Sequence, residues 1–233
     1  MIAALGAAGV AAVGALVHGT YHRNSPLFGH ALGSLPRRSA GDRAVALTFD
    51  DGPNPEATPR ILDALAASRT VATFFLLGRH VERWPELARR VAAEGHVVGN
   101  HGWYHRKLHT QSPASVRRDL ELGTAAIIGA TGVRPAVFRA PHGFRAPWVS
   151  HIARSLGQRT IGWSLGVWDS ARPGVDAIVE RTVNGARPGS ILLLHDGDGY
   201  DAAGDRTQTA AAVPRIIDAL ESRDYRLVGV PAA

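Results

Sequence analysis

The stretch that decides the fold is Ala44-Val-Ala-Leu-Thr-Phe-Asp-Asp-Gly-Pro-Asn-Pro55. Ala44 to Phe49 is a short apolar run of the kind that forms a strand buried on both faces. Asp50-Asp51-Gly52-Pro53 ends it in turn chemistry. Downstream, short apolar runs alternate with helical patterns. Strands are expected at 71–76, 97–98, 136–138, 160–164, 191–194 and 227–230. Helices are expected at 59–67, 81–94, 113–129, 147–156, 175–184 and 209–221, with Gly95 closing the second. Alternation repeated this often predicts a parallel α/β architecture, either a barrel or a doubly wound sheet.

The 233 residues fit one domain of ordinary size, with 45% apolar and 20% charged residues. That balance excludes bulk disorder and fibrous folds. The absence of cysteine excludes disulfides, thiolate metal sites and a cysteine nucleophile. The net charge of +6 comes almost wholly from arginine, Lys107 being the sole lysine. The charges are dispersed, the longest basic cluster is as short as Arg106-Lys107, and no aromatic residues interleave a basic stripe, so no nucleic-acid partner is expected. Residues 1–17 form an uncharged run rich in Ala and Gly. As a helix it spans about 26 Å, just short of a ~30 Å hydrocarbon core, and reads as a membrane anchor or signal-like segment. Residues 21–42 read as a linker or irregular lead-in. The division is therefore 1–42, apolar segment and lead-in, and 43–233, the domain that carries the strand–helix alternation. The segment before Ala44 carries no expected chemistry. A chain beginning near Ser39 is expected to fold.

The chemistry-bearing residues gather where strands end. The first strand runs into Asp50-Asp51, the next into Asn100-His101, and Val137-Phe138 into Arg139. The strand after Thr160 leads to Trp168-Asp169, and Ile191–Leu194 leads to His195-Asp196. In parallel α/β folds those ends share one rim, where sites are built. Adjacent carboxylates repel unless a cation or proton intervenes. In extended chain they point opposite ways, so one could hold a metal while the other faces a water on it. His101 and His105 share one face if the turn is helical. With Asp51 they make a two-His-one-carboxylate set that leaves a metal position open. His96 and His109 read as structural or surface residues. Arg139 could hold Asp50 bidentately, Asp169 could fix a histidine tautomer, and His195 could be a general acid. The acidic loop Asp196–Asp201 lacks the closing glutamate of a calcium loop and reads as a mobile substrate loop.

Thr48–Pro53, the His101/His105 pair, Arg139-Ala140-Pro141, Trp163–Asp169 and Leu193-Leu194-His195 together resemble the five ordered motifs of the polysaccharide deacetylases, carbohydrate esterase family 4. The resemblance runs from about Arg43 to Val230. It implies a distorted (β/α) barrel with fewer than eight repeats and one divalent metal ion, usually zinc. The implied activity is N-deacetylation of a chitin-like or peptidoglycan-like glycan. Carried over by position, it makes Asp50 the general base and Asp51, His101 and His105 the metal ligands. Arg139 would orient Asp50, and His195 would be the acid tuned by Asp169. Leu193 would line the acetyl-methyl pocket, with Trp168 on the groove and His142 at the oxyanion position. Four positions depart from the pattern. Gly102 and Arg106 stand where the second motif has Ser or Thr and Pro, and the lost hydroxyl could loosen the ligand loop. His142 replaces a Tyr, and Ser170 replaces a Trp. The alternatives are the same chemistry on another amide or an O-acetyl ester, or a non-catalytic glycan-binding module. The implied location is the cell envelope, anchored or secreted, with the cytoplasm as alternative. Nothing in the sequence fixes the oligomeric state.

Overall fold

The computed structural model describes residues 2–231. Met1 of the apolar run therefore lies outside the described residues. The buried run becomes β1 (Ala44–Asp50), every residue of which is buried. In chain order follow α2 (Ala57–Ala67), β2 (Thr73–Leu76), α3 (Gly78–Arg83), α4 (Pro85–Ala93), β3 (Val97–Asn100), α5 (Pro113–Thr131), β4 (Val137–Phe138), α6 (Val149–Ser155), β5 (Arg159–Thr160), β6 (Leu165–Gly166), α7 (Val175–Gly185), β7 (Ile191–His195), α8 (Thr207–Glu221) and β8 (Arg226–Val228). Ahead of them stands α1 (Ile2–Tyr21). The sheet order is β5-β4-β3-β2-β1-β7-β6, with β8 beside the first half of β1, and every pairing is parallel. This is the distorted (β/α) barrel with fewer than eight repeats, its helices covering the sheet through the Ile61, Leu62, Leu65, Val213, Ile216 and Ile217 core.

Two elements differ from the sequence reading. The helix expected at 81–94 is two helices. Pro85 cannot continue the turn before it and pushes Trp84 out of helical geometry, to φ −134° and ψ 65°. The single strand expected at 160–164 is two short ones, β5 and β6. Between them Trp163 turns its carbonyl to Arg23 Nε and Asn24 Nδ2, at 2.8 and 2.9 Å, so it cannot serve a sheet neighbour.

The lead-in is irregular, as expected, but it is built into the body. Leu32 bridges Ile161 and Ser34 bridges Ser190, so residues 32–34 cross from the end of β5 to the start of β7. Leu32 and Leu35 are buried in a small core with Phe75, Val137 and Ile191. Fully buried Arg145 donates to the carbonyls of Ser25 and Gly29, at 2.7 and 2.9 Å. A buried guanidinium without those acceptors would carry a large desolvation cost.

Candidate active site

Strand register sets the first pair. β1 and β7 align Asp50 opposite His195, so a carboxylate and an imidazole end adjacent strands at the same height. The chain then bends: Asp51 sits at φ 73°, in the left-handed region. His101 directly follows β3, and Arg139 directly follows β4. Residues from the ends of four strands, β1, β3, β4 and β7, thus meet on one rim.

The metal-ligand candidates come together. Asp51 Oδ1 lies 3.3 Å from His101 Nε2 and 3.1 Å from His105 Nε2, and all three residues are buried. One donor atom from each falls within 4.8 Å of the others. Asp51 Oδ1 is buried with no hydrogen-bond partner, as an anionic donor awaiting a cation would be. His101 Nδ1 donates to the Arg139 carbonyl at 2.8 Å, leaving Nε2 with its lone pair facing the cluster. This second contact is of the kind that orients a metal-binding histidine. Asp50 and Asp51 outweigh burial and hold the His101 pKa up. The same charges favour a cation at this point. Burial pushes His105 down to about 3, against the pull of Asp51, so its ring is neutral and able to ligate. Burial raises Asp51, but His105 and His101 prevail and hold it below the usual carboxylate range. The donor set therefore fits a divalent ion.

The route to that geometry is not the helical turn read from the spacing. Residues 101–107 form no helix. Gly102 at φ 82° and His105 at φ 56° fold the loop back instead. Asp119 on α5 anchors it, its carboxylate accepting from the Trp103 and Tyr104 amides at 3.0 and 3.3 Å. A Cβ on Gly102 would run into Asp119 Oδ2, so glycine at this position is what lets the carboxylate in. The hydroxyl absent at 102 thus leaves the loop held by another group.

Arg139 reaches Asp50, but not bidentately. Its Nη1 donates to Asp50 Oδ1 and to Thr48 Oγ1, both at 2.7 Å, while Nη2 donates to the Gly162 carbonyl at 2.9 Å. Its plane packs on Phe75, 4.2 Å from the ring centre. Asp50 Oδ2 is left towards the cluster, 3.8 Å from His101 Nε2. Asp169 Oδ1 lies 2.9 Å from His195 Nδ1, and its Oδ2 accepts from the His195 amide and Thr209 Oγ1, each at 2.8 Å. Burial works against a charged His195, yet the Asp169 carboxylate raises it to about 9. Its ring is therefore protonated at neutral pH, with Nε2–H unclaimed by Asp169.

A cleft of about 680 Å³ opens over these groups. Leu193, His142 and Trp168 line it, as do Tyr21 and Arg23 from the lead-in and Tyr200 from the acidic loop. That loop is tied down rather than loose. Buried Arg206 donates to the Gly197 carbonyl and to Asp198 Oδ2, both at 2.7 Å, and Arg79 donates to the Gly199 carbonyl.

Sequence reading missed His80 and Asp119, and it placed Asp196 on the rim without giving it a role. His80, from α3, donates Nδ1 to the Asp51 carbonyl at 2.7 Å and so braces the ligand from behind. Asp196, wholly buried, accepts from Thr58 Oγ1 at 2.6 Å. Burial, with Asp51 and Asp50 adding, raises its pKa to about 7. Asp119 had one faint signal, a carboxylate on the apolar face that carries Val116 and Leu120. His80 had none.

The "Polysaccharide deacetylase" family model matches residues 37–161. The chain belongs to the polysaccharide deacetylase family. A chitooligosaccharide deacetylase from Rhizobium leguminosarum bv. trifolii is 41% identical over 208 residues, covering 86% of this chain and 97% of that protein. A peptidoglycan-N-acetylglucosamine deacetylase from Bacillus cereus is 38% identical over 194 residues, covering 81% and 87%. Among solved structures, a peptidoglycan N-acetylglucosamine deacetylase in complex with an N-oxidanyl-benzamide superposes with a TM-score of 0.78 at 30% identity, covering 87% of this polysaccharide deacetylase and 91% of that chain.

Proposed function

We propose that this chain is a metal-dependent hydrolase that removes N-acetyl groups from an acetylated amino-sugar glycan, chitin-like or peptidoglycan-like. One observation carries the reading: Asp50 and His195 end adjacent strands in register, beside the buried Asp51/His101/His105 donor set. Two imidazoles and one carboxylate suit zinc. A divalent ion bound there supplies Lewis-acid polarisation of the acetyl carbonyl and of the attacking water. Asp50, its Oδ1 held by Arg139, accepts the water's proton through Oδ2. His195, its Nδ1 held by Asp169, donates from Nε2 to the departing amine as the amide C–N bond breaks. Acetate and a free amino sugar leave. Leu193 faces the acetyl methyl, His142 stands beside the oxyanion, and Trp168 borders the sugar groove.

The metal-loaded protein, incubated with N-acetylated chitooligosaccharides, peptidoglycan fragments and acetylated xylan, should release acetate and free amine from the first two. Acetate from xylan alone would transfer the reading to an ester. No acetate from any of them, with metal bound, would leave the binding-module reading.

We further propose an envelope location, with residues 1–17 as attachment and the catalytic unit, read in sequence from residue 43, completed by the lead-in. Val10, Val13, Leu16 and Val17 of α1 are exposed, which supports attachment to something apolar. Among the described residues, no helix is long and apolar enough to cross a membrane. Vesicle flotation of the full chain against one lacking residues 1–17 tests this. Equal flotation of the two would refute it.

A further inference from the structure

A second pocket, of about 730 Å³, lies between the lead-in and the corner where α6 runs into β5. None of its lining residues reaches the catalytic cleft. His30 comes to it from the lead-in, His151 and Arg154 from α6, and Arg159 from the start of β5. Among the described residues, no aspartate or glutamate lines it. Arg154 donates to His151 Nδ1 at 3.4 Å, and among the described residues neither Arg154 nor Arg159 forms an ion pair. A guanidinium stays charged at every physiological pH. The fold thus gathers two uncompensated positive charges and two imidazoles that are scattered in the sequence.

Leu27 and Phe28 form the apolar side of this pocket, and Phe28 ties it to α1. The Phe28 ring packs so closely on Gly19 that any side chain there would run into it. Residues 9–18 of α1 are all exposed, whereas Gly19 is buried, so the helix leaves the body at this point. The Thr20 carbonyl, accepting from the Arg145 amide at 3.1 Å, fixes its root. The pocket and the unpartnered apolar helix are therefore neighbours.

A helix rich in Ala and Gly gains little on entering an apolar phase, and stable attachment to a bilayer takes a second signal beside one weak apolar element. Basic side chains at an anionic bilayer surface supply such a signal. Guanidinium groups match phosphate in charge and in fork geometry. The cavity has the size of a small-molecule site, and its cationic and apolar sides suit a group that carries a phosphate at one end and hydrocarbon at the other. We propose that this pocket binds the phosphate of an anionic phospholipid headgroup through Arg154 and Arg159, giving α1 the second hold that keeps the chain on a membrane surface. The proposal rests on the attachment reading of residues 1–17.

The test is flotation of the full chain with vesicles of neutral phosphatidylcholine and with vesicles that also contain anionic phosphatidylglycerol. The neutral vesicles read α1, and the gain on the anionic ones reads the pocket. The parent should prefer the anionic vesicles. Arg154→Gln and Arg159→Gln should each cut that preference about fivefold, and leave binding to neutral vesicles unchanged. The double lysine variant, which keeps the charge, should retain most of the preference. Arg83→Gln combined with Arg89→Gln removes the same charge from an exposed stretch of α3 and α4 and should keep it too. The proposal is overturned if the parent shows no preference, if the Arg154 and Arg159 glutamine variants keep it, or if the Arg83/Arg89 control loses as much, since diffuse charge would then be responsible. Calorimetric binding of soluble glycerol phosphate without any preference for anionic vesicles would overturn the lipid assignment in favour of a free anion. If deleting residues 1–17 leaves flotation on neutral vesicles unchanged, the attachment reading fails, while an anionic preference that still depends on Arg154 and Arg159 would keep the headgroup site.

Discussion

Asp50 and Asp51 are neighbours with different surroundings, and the difference separates their tasks. Asp50 is still in the strand, with one oxygen held by Arg139, whereas Asp51 turns its Oδ1 unpaired to two imidazoles. Asp50→Asn should therefore keep its metal and lose about 10²–10⁴ in turnover. Loss of the metal in that variant would overturn the separation. His195→Ala should cost a similar factor on an N-acetyl substrate and far less on an aryl acetate ester, whose leaving group needs no proton. Equal slowing on both substrates would mean that His195 is not the acid. The Asp169 contact also fixes a pH dependence. His195 is raised to about 9, so activity through its protonated form should hold through neutrality and fall as pH climbs past about 9. Asp169→Asn should move that alkaline limb downward. Stability follows the same sign. A histidine whose pKa is higher in the folded chain adds stability that is complete below its unfolded value, about 6.5, and lost through about 9. A pH series of thermal melts, compared with that of Asp169→Asn, reads the difference.

The ligand loop between β3 and α5 is the element on which the site depends most. Its residues 101–107 form no helix or strand and rely on Asp119 and on a left-handed glycine. Gly102→Ala sets a Cβ against Asp119 Oδ2 on a backbone that disfavours it, and should destabilise by about 1–3 kcal/mol. Calorimetric metal titration should show weaker binding in this variant although all three ligands remain. Unchanged affinity would mean that the loop has slack. This loop also marks where the sequence reading fell short. The spacing of His101 and His105 suggested a helical face, and the two rings do meet. They are brought together by backbone reversal, which spacing alone does not encode.

At the scale of the molecule, the lead-in decides how much of the chain is the enzyme. It closes the sheet between β5 and β7, supplies acceptors to buried Arg145 and puts Tyr21 and Arg23 on the cleft. Removing residues 1–17 should leave the melting temperature nearly unchanged. Beginning at Ser39, contrary to the expectation from motif positions, should strip Arg145 of its carbonyl acceptors, leaving only Ser150 Oγ, and expose the Leu32 and Leu35 sites. The loss should be about 3 kcal/mol or more, enough to threaten folding. Matching melts for the two truncations would refute that difference.

The sequence by itself determined the alternation of strand and helix, the rim at the strand ends and the identity of the residues on it. Those features are local: a buried apolar run forms a strand, and a polar residue at its end falls on the functional side. What only the tertiary structure decided is how these groups meet. Register put Asp50 opposite His195, and left-handed bends at Asp51 and His105 turned the ligands inward. Thr48 and the Gly162 carbonyl took the Arg139 donors that a bidentate pairing would have used. His80, Asp119 and the lead-in act through contacts across many residues of chain. Such contacts depend on packing that no stretch of sequence contains.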